Sequence, residues 1–174
     1  MIMATLERLD MERNLAPSGR WTLRDKAAPR RLAWTLSRMR LPNIAQDKWT
    51  LRSAEASHAA HPETFRIPPA IQRHNLKRGQ AAKLMFEIKS EDEDGTLDIA
   101  CERMWVIVAE RVGDTYIGIL DNQPISIAHG EDAYLRFGAE IPFKAEHVIE
   151  VDTPPTKYSA WQLGQKPERE WSRE

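Results

Sequence analysis

The sequence contains a single cysteine, Cys101, and no long apolar run. One thiol excludes an intrachain disulfide and is too few for a zinc-thiolate cluster. No stretch approaches the roughly 18 consecutive apolar residues that a membrane span needs, and the first six residues lead into Glu7, Arg8 and Asp10 rather than into the apolar core of a signal peptide. We therefore expect a cytoplasmic protein that does not enter a membrane.

Length and composition predict an ordinary globular chain with an uneven charge distribution. The 174 residues allow one hydrophobic core and a short appendage, and 41% of them are apolar. Residues 1–52 carry 11 Lys and Arg against 5 Asp and Glu, whereas the rest of the chain carries 14 against 21. Two interpretations stay open: the basic segment binds an acidic partner, or it folds back onto the acidic remainder.

The basic segment, residues 1–52, is predicted to be a helical arm. A short amphipathic helix ends before Pro17, and a second helix begins at Pro29 and ends before Pro42. Basic residues alternate with Trp21 and Trp34, a pattern that suits contacts to phosphates and stacked bases. The arginines of the second helix are candidate binding residues: Arg30, Arg31, Arg38 and Arg40.

Residues 53–153 are predicted to form an α+β core domain. Helices are expected at residues 53–61 and 68–79, and the following alternation places three apolar side chains on one face of a strand: Leu84, Phe86 and Ile88. Residues 104–109 are apolar on both faces, as in a central strand, and Gly113-Asp114 is a two-residue turn that joins this strand to a hairpin partner at residues 116–120.

Further strands are expected at residues 125–128, 141–143 and 147–151. Together these elements predict N-terminal helices beside a small, strongly twisted antiparallel sheet that resembles an SH3-like barrel. Residues 154–174 are polar apart from a few side chains such as Trp161 and Trp171, and we expect this tail to lie over the surface or to fray.

Four segments combine spaced hydrophobic residues with turn residues and one tryptophan: Lys83-Leu84-Met85-Phe86, Glu102-x-Met104-Trp105-Val106, Gly118-x-Leu120-x-Asn122-x-Pro124 and Gly138-x-x-Ile141-x-Phe143. This spacing resembles the YegJ-like bacterial family of uncharacterised small domains. The resemblance covers roughly residues 54–151 and implies no established activity, so it carries over no catalytic residue.

These motif residues also have a physical interpretation. Gly118 allows a neighbouring side chain such as Trp105 to cross the strand closely, and Asn122 tolerates left-handed backbone or caps the turn. The functional interpretation is that Trp105, Tyr116 and Phe137 form an aromatic groove of the kind that holds peptides, whereas the alternative is that these rings pack in the core.

Metal and cofactor motifs are incomplete. Glu55, His58 and His61 share one helical face, but a di-iron site needs a second such motif. Residues 92–98 resemble the middle of a calcium loop, yet Ser90 and Cys101 occupy its first and last ligand positions. No GxGxxG or P-loop pattern occurs. We expect neither a metal nor a cofactor.

Catalytic motifs are equally incomplete. Cys101 needs a histidine to activate it, and neither Glu146-His147 nor Asp121 belongs to a recognisable acid-base set. The sequence therefore favours a non-enzymatic binding module, with another protein as its partner. A nucleic-acid-associated protein that uses the basic arm is the alternative, and a small hydrolase comes third.

Overall fold

The computed structural model of the chain describes residues 39–91, 97–126 and 133–173. The helices expected within residues 1–38 lie outside the described residues, together with Arg30, Arg31 and Arg38. The centre of the acidic loop, residues 92–96, also lies outside them. Of the strand expected at residues 125–128, only Ile125 and Ser126 are described, and they form a bend.

The described part is an α+β structure, mostly strands with a few short helices. The helices are α1 (Ile44–Asp47), α2 (Ala54–Ala60), α3 (Ala70–Arg73) and α4 (Thr156–Leu163), with a short 3-10 helix at Ala145–His147. The strands are β1 (Trp49–Leu51), β2 (Ala81–Glu91), β3 (Leu97–Val112), β4 (Thr115–Leu120), β5 (Glu140–Phe143) and β6 (Val148–Asp152). No helix among the described residues is long and apolar enough to cross a membrane.

All six strands belong to one antiparallel sheet, which curls into a half-barrel. Its order is β1-β2-β3-β4-β5, and β6 also pairs with β2. The long strand β2 accommodates both neighbours on one edge, because β1 pairs with its residues 86–88 and β6 with its residues 81–84. On the other edge, β2 pairs with β3 over its whole length.

The predicted hairpin around Gly113-Asp114 is confirmed. Val112 pairs with Thr115 across the turn, and Gly113 has a φ angle of 63°, a left-handed conformation that favours glycine. Alternation along β2 is also confirmed, since Leu84, Phe86 and Ile88 are buried in the core. The opposite face, called the outer face below, carries the odd-numbered residues of β2 and those of β3 as far as Ile107, before the register shift between Val108 and Glu110.

Gly118 is required by a close approach between β4 and its neighbours. A Cβ atom at this position would lie 2.7 Å from the side chain of Val106 and 3.2 Å from the ring of Phe143. The residue that crosses the glycine is therefore Val106, not Trp105 as the sequence suggested. The close approach itself is as expected.

An aromatic cluster joins the two ends of the curled sheet. Trp49 lies on β1, at one edge, and its ring is 5.7 Å from that of Trp171, which follows the segment that bridges Ala139 beside β5. Tyr134 contacts both rings, at 6.0 Å from Trp49 and 5.2 Å from Trp171. Burial of such large rings stabilises the curled form of the sheet.

The C-terminal tail is a structured part of the core, which differs from the expected surface segment. It contains α4, and the segment after it hydrogen-bonds to β5 through Glu140 N–H and Arg169 C=O. The Glu140 carboxylate in turn accepts hydrogen bonds from Trp171 N–H and from the Arg173 guanidinium. The burial of Trp171 could not be predicted from the sequence. Its neighbours along the chain are polar, and the residues that it packs against are distant in sequence.

The helix expected at residues 68–79 comprises only the single turn of α3. The chain leaves the helix there because its backbone pairs with the sheet instead: Gly79 N–H donates to Val108 C=O, and Val108 N–H donates to Gln80 C=O. The helix expected at residues 53–61 is present as α2, and the Ser53 side chain caps its first turn.

The core extends across both of the domain boundaries drawn from the sequence. Met39, Trp49 and Leu51 lie before residue 53, and Trp171 lies after residue 153, yet all four belong to the same hydrophobic cluster as the central strands. The described residues accordingly belong to one compact unit.

Candidate interaction surface

Trp105 lies half-buried on the outer face of β3, and a cation covers its ring. Lys83 pairs with Trp105 across the sheet, and the ammonium nitrogen of Lys83 is 4.6 Å from the centroid of the Trp105 ring. The same nitrogen is 2.7 Å from a carboxylate oxygen of Glu150 on β6. Trp105 thus lies outside the core cluster. Its ring is at the surface, where it contacts the ammonium group of Lys83 from the same chain.

Tyr116 does not share a surface with Trp105. Its ring is buried in the core and stacks on Phe143, with 5.3 Å between the ring centroids. Phe137 is 39% exposed in the turn that precedes β5, where its N–H donates to the side chain of Gln123. The three rings proposed for one groove therefore occupy three different settings.

The Asn122 side chain bonds across to β3, not within its own turn as the sequence suggested. Its Oδ1 atom accepts a hydrogen bond from Trp105 N–H at 2.6 Å, and Asp121 N–H donates to Trp105 C=O at 2.8 Å. These two bonds continue the pairing of β4 with β3 for two more residues. They also hold Asp121 next to Trp105.

Glu102 on β3 holds the loop that follows β4. Its carboxylate accepts hydrogen bonds from the N–H groups of Ile125 and Ser126, at 2.6 to 3.1 Å. Burial acts to raise the pKa of Glu102, but the hydrogen bonds from Ser126 and Ile125 outweigh it and lower the pKa. The motif residues Glu102, Gly118 and Asn122 thus all position the exit from β4.

Arg40 is the only one of the four candidate arginines that is described, and it has a structural role. Its guanidinium binds both carboxylate oxygens of Asp47, at 2.7 and 2.8 Å, and lies 4.4 Å from the ring centroid of Trp171. The Arg40 hydrogen bonds lower the pKa of Asp47. These contacts attach the start of the described chain to the C-terminal segment.

The residues that sequence analysis missed are Tyr158 and Trp161 on α4. This helix packs against β3 and buries Ser159 and Gln162, whereas Tyr158 and Trp161 are 38% and 53% exposed. Their ring centroids are 5.9 Å apart. Spacing of three residues along a helix predicts that such rings are neighbours, but only the fold shows that this side of α4 is the open one.

Asp121 joins α4 to the strand that carries Trp105. Strand alternation places Asp121 on the same side as Trp105, and the Tyr158 hydroxyl donates a hydrogen bond to Asp121 Oδ1 at 2.5 Å. Burial raises the pKa of Asp121, and the hydrogen bond to Asp121 raises the pKa of Tyr158 to about 12. We call this surface the outer patch, formed by Lys83, Trp105, Asp121, Glu150, Tyr158 and Trp161.

The remaining reactive side chains are dispersed. Cys101 is exposed on the outer face of β3, and within the described ranges no histidine hydrogen-bonds to it. His147 is buried, and its Nδ1 atom accepts from Lys144 N–H at 3.0 Å. Asp121 has a tyrosine, not a base, as its partner. The geometry thus offers no nucleophile–base pair in this part of the chain.

The Glu55-x-x-His58 pattern has other partners in the fold. Glu55 forms an ion pair with Arg73 at 2.6 Å, and His58 Nδ1 hydrogen-bonds to Phe65 C=O at 2.6 Å. Among residues 39–91, 97–126 and 133–173, no three His, Cys, Asp or Glu side chains come together in a way that could hold a metal ion.

No protein-family model, curated protein or solved structure matches this chain. The resemblance to the YegJ-like family therefore stays a prediction from the sequence, and the outer patch is the feature from which a function can be inferred.

Proposed function

We propose that this chain is a non-enzymatic binding module, built on an SH3-like barrel, that contacts a partner protein through the outer patch. A single observation carries the proposal: Tyr158 and its neighbour Trp161 are exposed aromatic rings, and the Tyr158 hydroxyl binds the carboxylate of Asp121 on the same face as Trp105. A cytoplasmic setting suits a protein whose single cysteine is an exposed thiol.

Aromatic side chains on a rigid support are well suited to protein recognition. Tyrosine and tryptophan bring a large apolar contact area and a polar atom while ordering few rotatable bonds, and both are enriched at interfaces. Here α4 packs against β3 and buries Ser159 and Gln162, so the rings are presented by a preorganised helix. The patch therefore needs little reorganisation on binding.

The nucleic-acid alternative has less support from the described residues. Arg40 is bound to Asp47 and stacked on Trp171, so its guanidinium contributes to the fold. Phosphate binding would depend on the arginines outside the described residues. Catalysis has less support still, because Cys101 and His147 are not paired with each other.

Affinity capture with the full chain tests the proposed function. Wild-type protein and Trp161→Ala are used as baits in nuclease-treated extract of the source cells, and Ile71→Ala serves as the matched control because Ile71 is an exposed apolar residue on α3. We expect at least one protein that is retained by the wild type and Ile71→Ala but lost with Trp161→Ala, and that binds again when purified.

Three results would contradict the proposal. Captured proteins could all be insensitive to Trp161→Ala, every interaction could disappear with nuclease, or the captured protein could fail to bind when purified. The second result would favour the nucleic-acid alternative.

A further inference from the structure

We propose that the outer patch binds a cationic side chain, an arginine or a lysine of the partner protein, between the Tyr158–Trp161 rings and the Asp121 carboxylate. This inference rests on the proposed function and specifies the chemistry that the partner must present.

The first argument is that none of the described residues supplies a counter-charge to Asp121. Among the described residues, its carboxylate has one hydrogen-bond partner, the neutral hydroxyl of Tyr158, and no lysine or arginine pairs with it. Partly burying a carboxylate without a cation costs free energy, which agrees with the raised pKa of Asp121. A guanidinium or ammonium group from a partner would supply the missing charge.

The second argument is that the same surface already binds a cation within the chain. Lys83 lies over Trp105 while it pairs with Glu150, so one indole and one carboxylate hold one ammonium group. A second indole and a second carboxylate, Trp161 and Asp121, each contact Tyr158, and among the described residues no cation accompanies them. Aromatic rings attract cations through their negative faces, and the neighbouring carboxylate adds an ion pair.

The third argument concerns which residues are free to contact a ligand. Trp105 is covered by Lys83, whereas Trp161 is 53% exposed. Tyr158 is fixed by its bond to Asp121, so its ring is held beside the indole at 5.9 Å. The open part of the outer patch is therefore the part next to Asp121, where a cation would contact a ring and the carboxylate together.

Capped heptapeptides test this inference by NMR titration of the full-length protein. Each peptide contains glycine, serine and proline around one central residue, which is arginine, lysine or the uncharged arginine analogue citrulline. We expect the arginine and lysine peptides to shift the Trp161 indole N–H signal and the α4 backbone signals. We expect the citrulline peptide to bind about three- to fivefold more weakly than the arginine peptide.

Matched variants locate the cation. Asp121→Asn and Trp161→Ala should each weaken binding of the arginine peptide about three- to fivefold, whereas Glu63→Gln and Ile71→Ala should leave it unchanged. Asp121→Asn should also keep or raise the melting temperature at neutral pH, because it removes an uncompensated carboxylate. If the Asp121 carboxylate instead stabilised the fold, Asp121→Asn would lower the melting temperature. This second measurement therefore separates a structural role of Asp121 from a role in binding.

Equal binding of the citrulline and arginine peptides would overturn the inference, as would shifts that map away from α4 and Asp121, or no binding of any peptide. If affinity capture also finds a partner that needs Trp161, the proposed function stands and only the cationic chemistry is wrong. If the arginine peptide binds the outer patch but no protein partner is captured, the proposed function fails and the cation site remains.

Discussion

At the scale of single residues, His147 is a buried base that the fold holds in its neutral form. Burial is the main cause that lowers its pKa; Glu146 and Glu55 oppose this effect, and Lys144 adds to it. Its Nδ1 atom accepts a hydrogen bond from Lys144 N–H, so this nitrogen carries no proton. Protonation of Nδ1 would break this bond from Lys144 N–H, which caps the start of the 3-10 helix.

We predict that acid weakens the fold through His147. The pKa is lower in the folded chain than its ordinary value of 6.5, so the unfolded chain binds the proton more readily and the unfolding free energy falls as the pH drops below about 6.5. The amide oxygen of an asparagine side chain can accept the same hydrogen bond as Nδ1 without titrating, so His147→Asn should fold without this loss. Denaturant titrations of both proteins from about pH 5 to pH 8 measure this loss of unfolding free energy.

The acidic groups provide the control for this experiment. Asp47, Glu102 and Asp114 have lowered pKa values, so their contribution to stability is lost only as the pH falls through a more acidic range, and it is lost in both proteins. An identical pH dependence of wild type and His147→Asn between about pH 5 and 6.5 would show that His147 does not titrate with unfolding.

A second prediction at this scale concerns Gly118. In Gly118→Ala the new methyl group would lie 2.7 Å from Val106, in a packed core, so we expect a loss of about 1 to 3 kcal/mol. Gly113→Asn is the matched control, because nothing lies near a side chain there and asparagine tolerates the positive φ of this turn. Equal losses in the two variants by thermal unfolding would contradict the steric explanation.

Sequence analysis predicted those residues whose role is local. The turn at Gly113-Asp114 follows from the residue types themselves. The Asp121–Tyr158 hydrogen bond could not be predicted, because it joins a strand end to a helix of the C-terminal tail and no periodicity relates the two. Tyr116 and Trp105 could not be told apart either, since both are aromatic residues in neighbouring strands.

At the scale of elements, a buried arginine joins α2 and α3 to the 3-10 helix. Arg73 on α3 binds the Glu55 carboxylate on α2, Pro68 C=O and Ala145 C=O, at 2.6 to 2.9 Å. One guanidinium therefore satisfies acceptors from three elements. Neither α2 nor α3 is long enough to be stable alone, so this contact supports both.

We predict that Arg73→Lys destabilises the fold although it keeps the charge. An ammonium group cannot reach all three acceptors, which leaves the buried Ala145 carbonyl without its donor, and we expect a loss of about 2 kcal/mol. Glu55→Gln should cost less than about 1 kcal/mol, because the Glu55 side chain is half exposed. Chemical denaturation would contradict this account if Glu55→Gln cost as much as Arg73→Lys.

The limits of element prediction have a physical cause. The strands of the central hairpins follow from alternation and turn residues, which are local signals. The helix expected at residues 68–79 stops after one turn because residues 79 and 80 pair with Val108, a contact that helix propensity does not contain. Packing against the sheet overrides the local preference.

At the scale of the whole molecule, closure of the half-barrel depends on both ends of the described chain. Trp49 and Leu51 come from before residue 53 and Trp171 from after residue 153. We therefore predict that residues 35–174 unfold in one cooperative transition, whereas residues 54–151 alone do not fold cooperatively. Trp171→Ala in the full chain should cost about 3 to 5 kcal/mol. Thermal unfolding followed by circular dichroism measures both.

The same measurement can support the boundaries drawn from sequence. If residues 54–151 melt cooperatively at the temperature of the full chain, the aromatic cluster does not hold the fold together and the shorter segment is the folding unit.

The contact between Trp49 and Trp171 also has an optical consequence. Two indoles 5.7 Å apart, with planes inclined at 71°, couple their electronic transitions, and such a pair gives a pair of bands of opposite sign in circular dichroism. One ring belongs to the first strand and the other to the last segment of the chain, so this signal exists only while the sheet is curled. The protein thus carries an intrinsic spectroscopic reporter of its own closure, which opening of the C-terminal segment would erase.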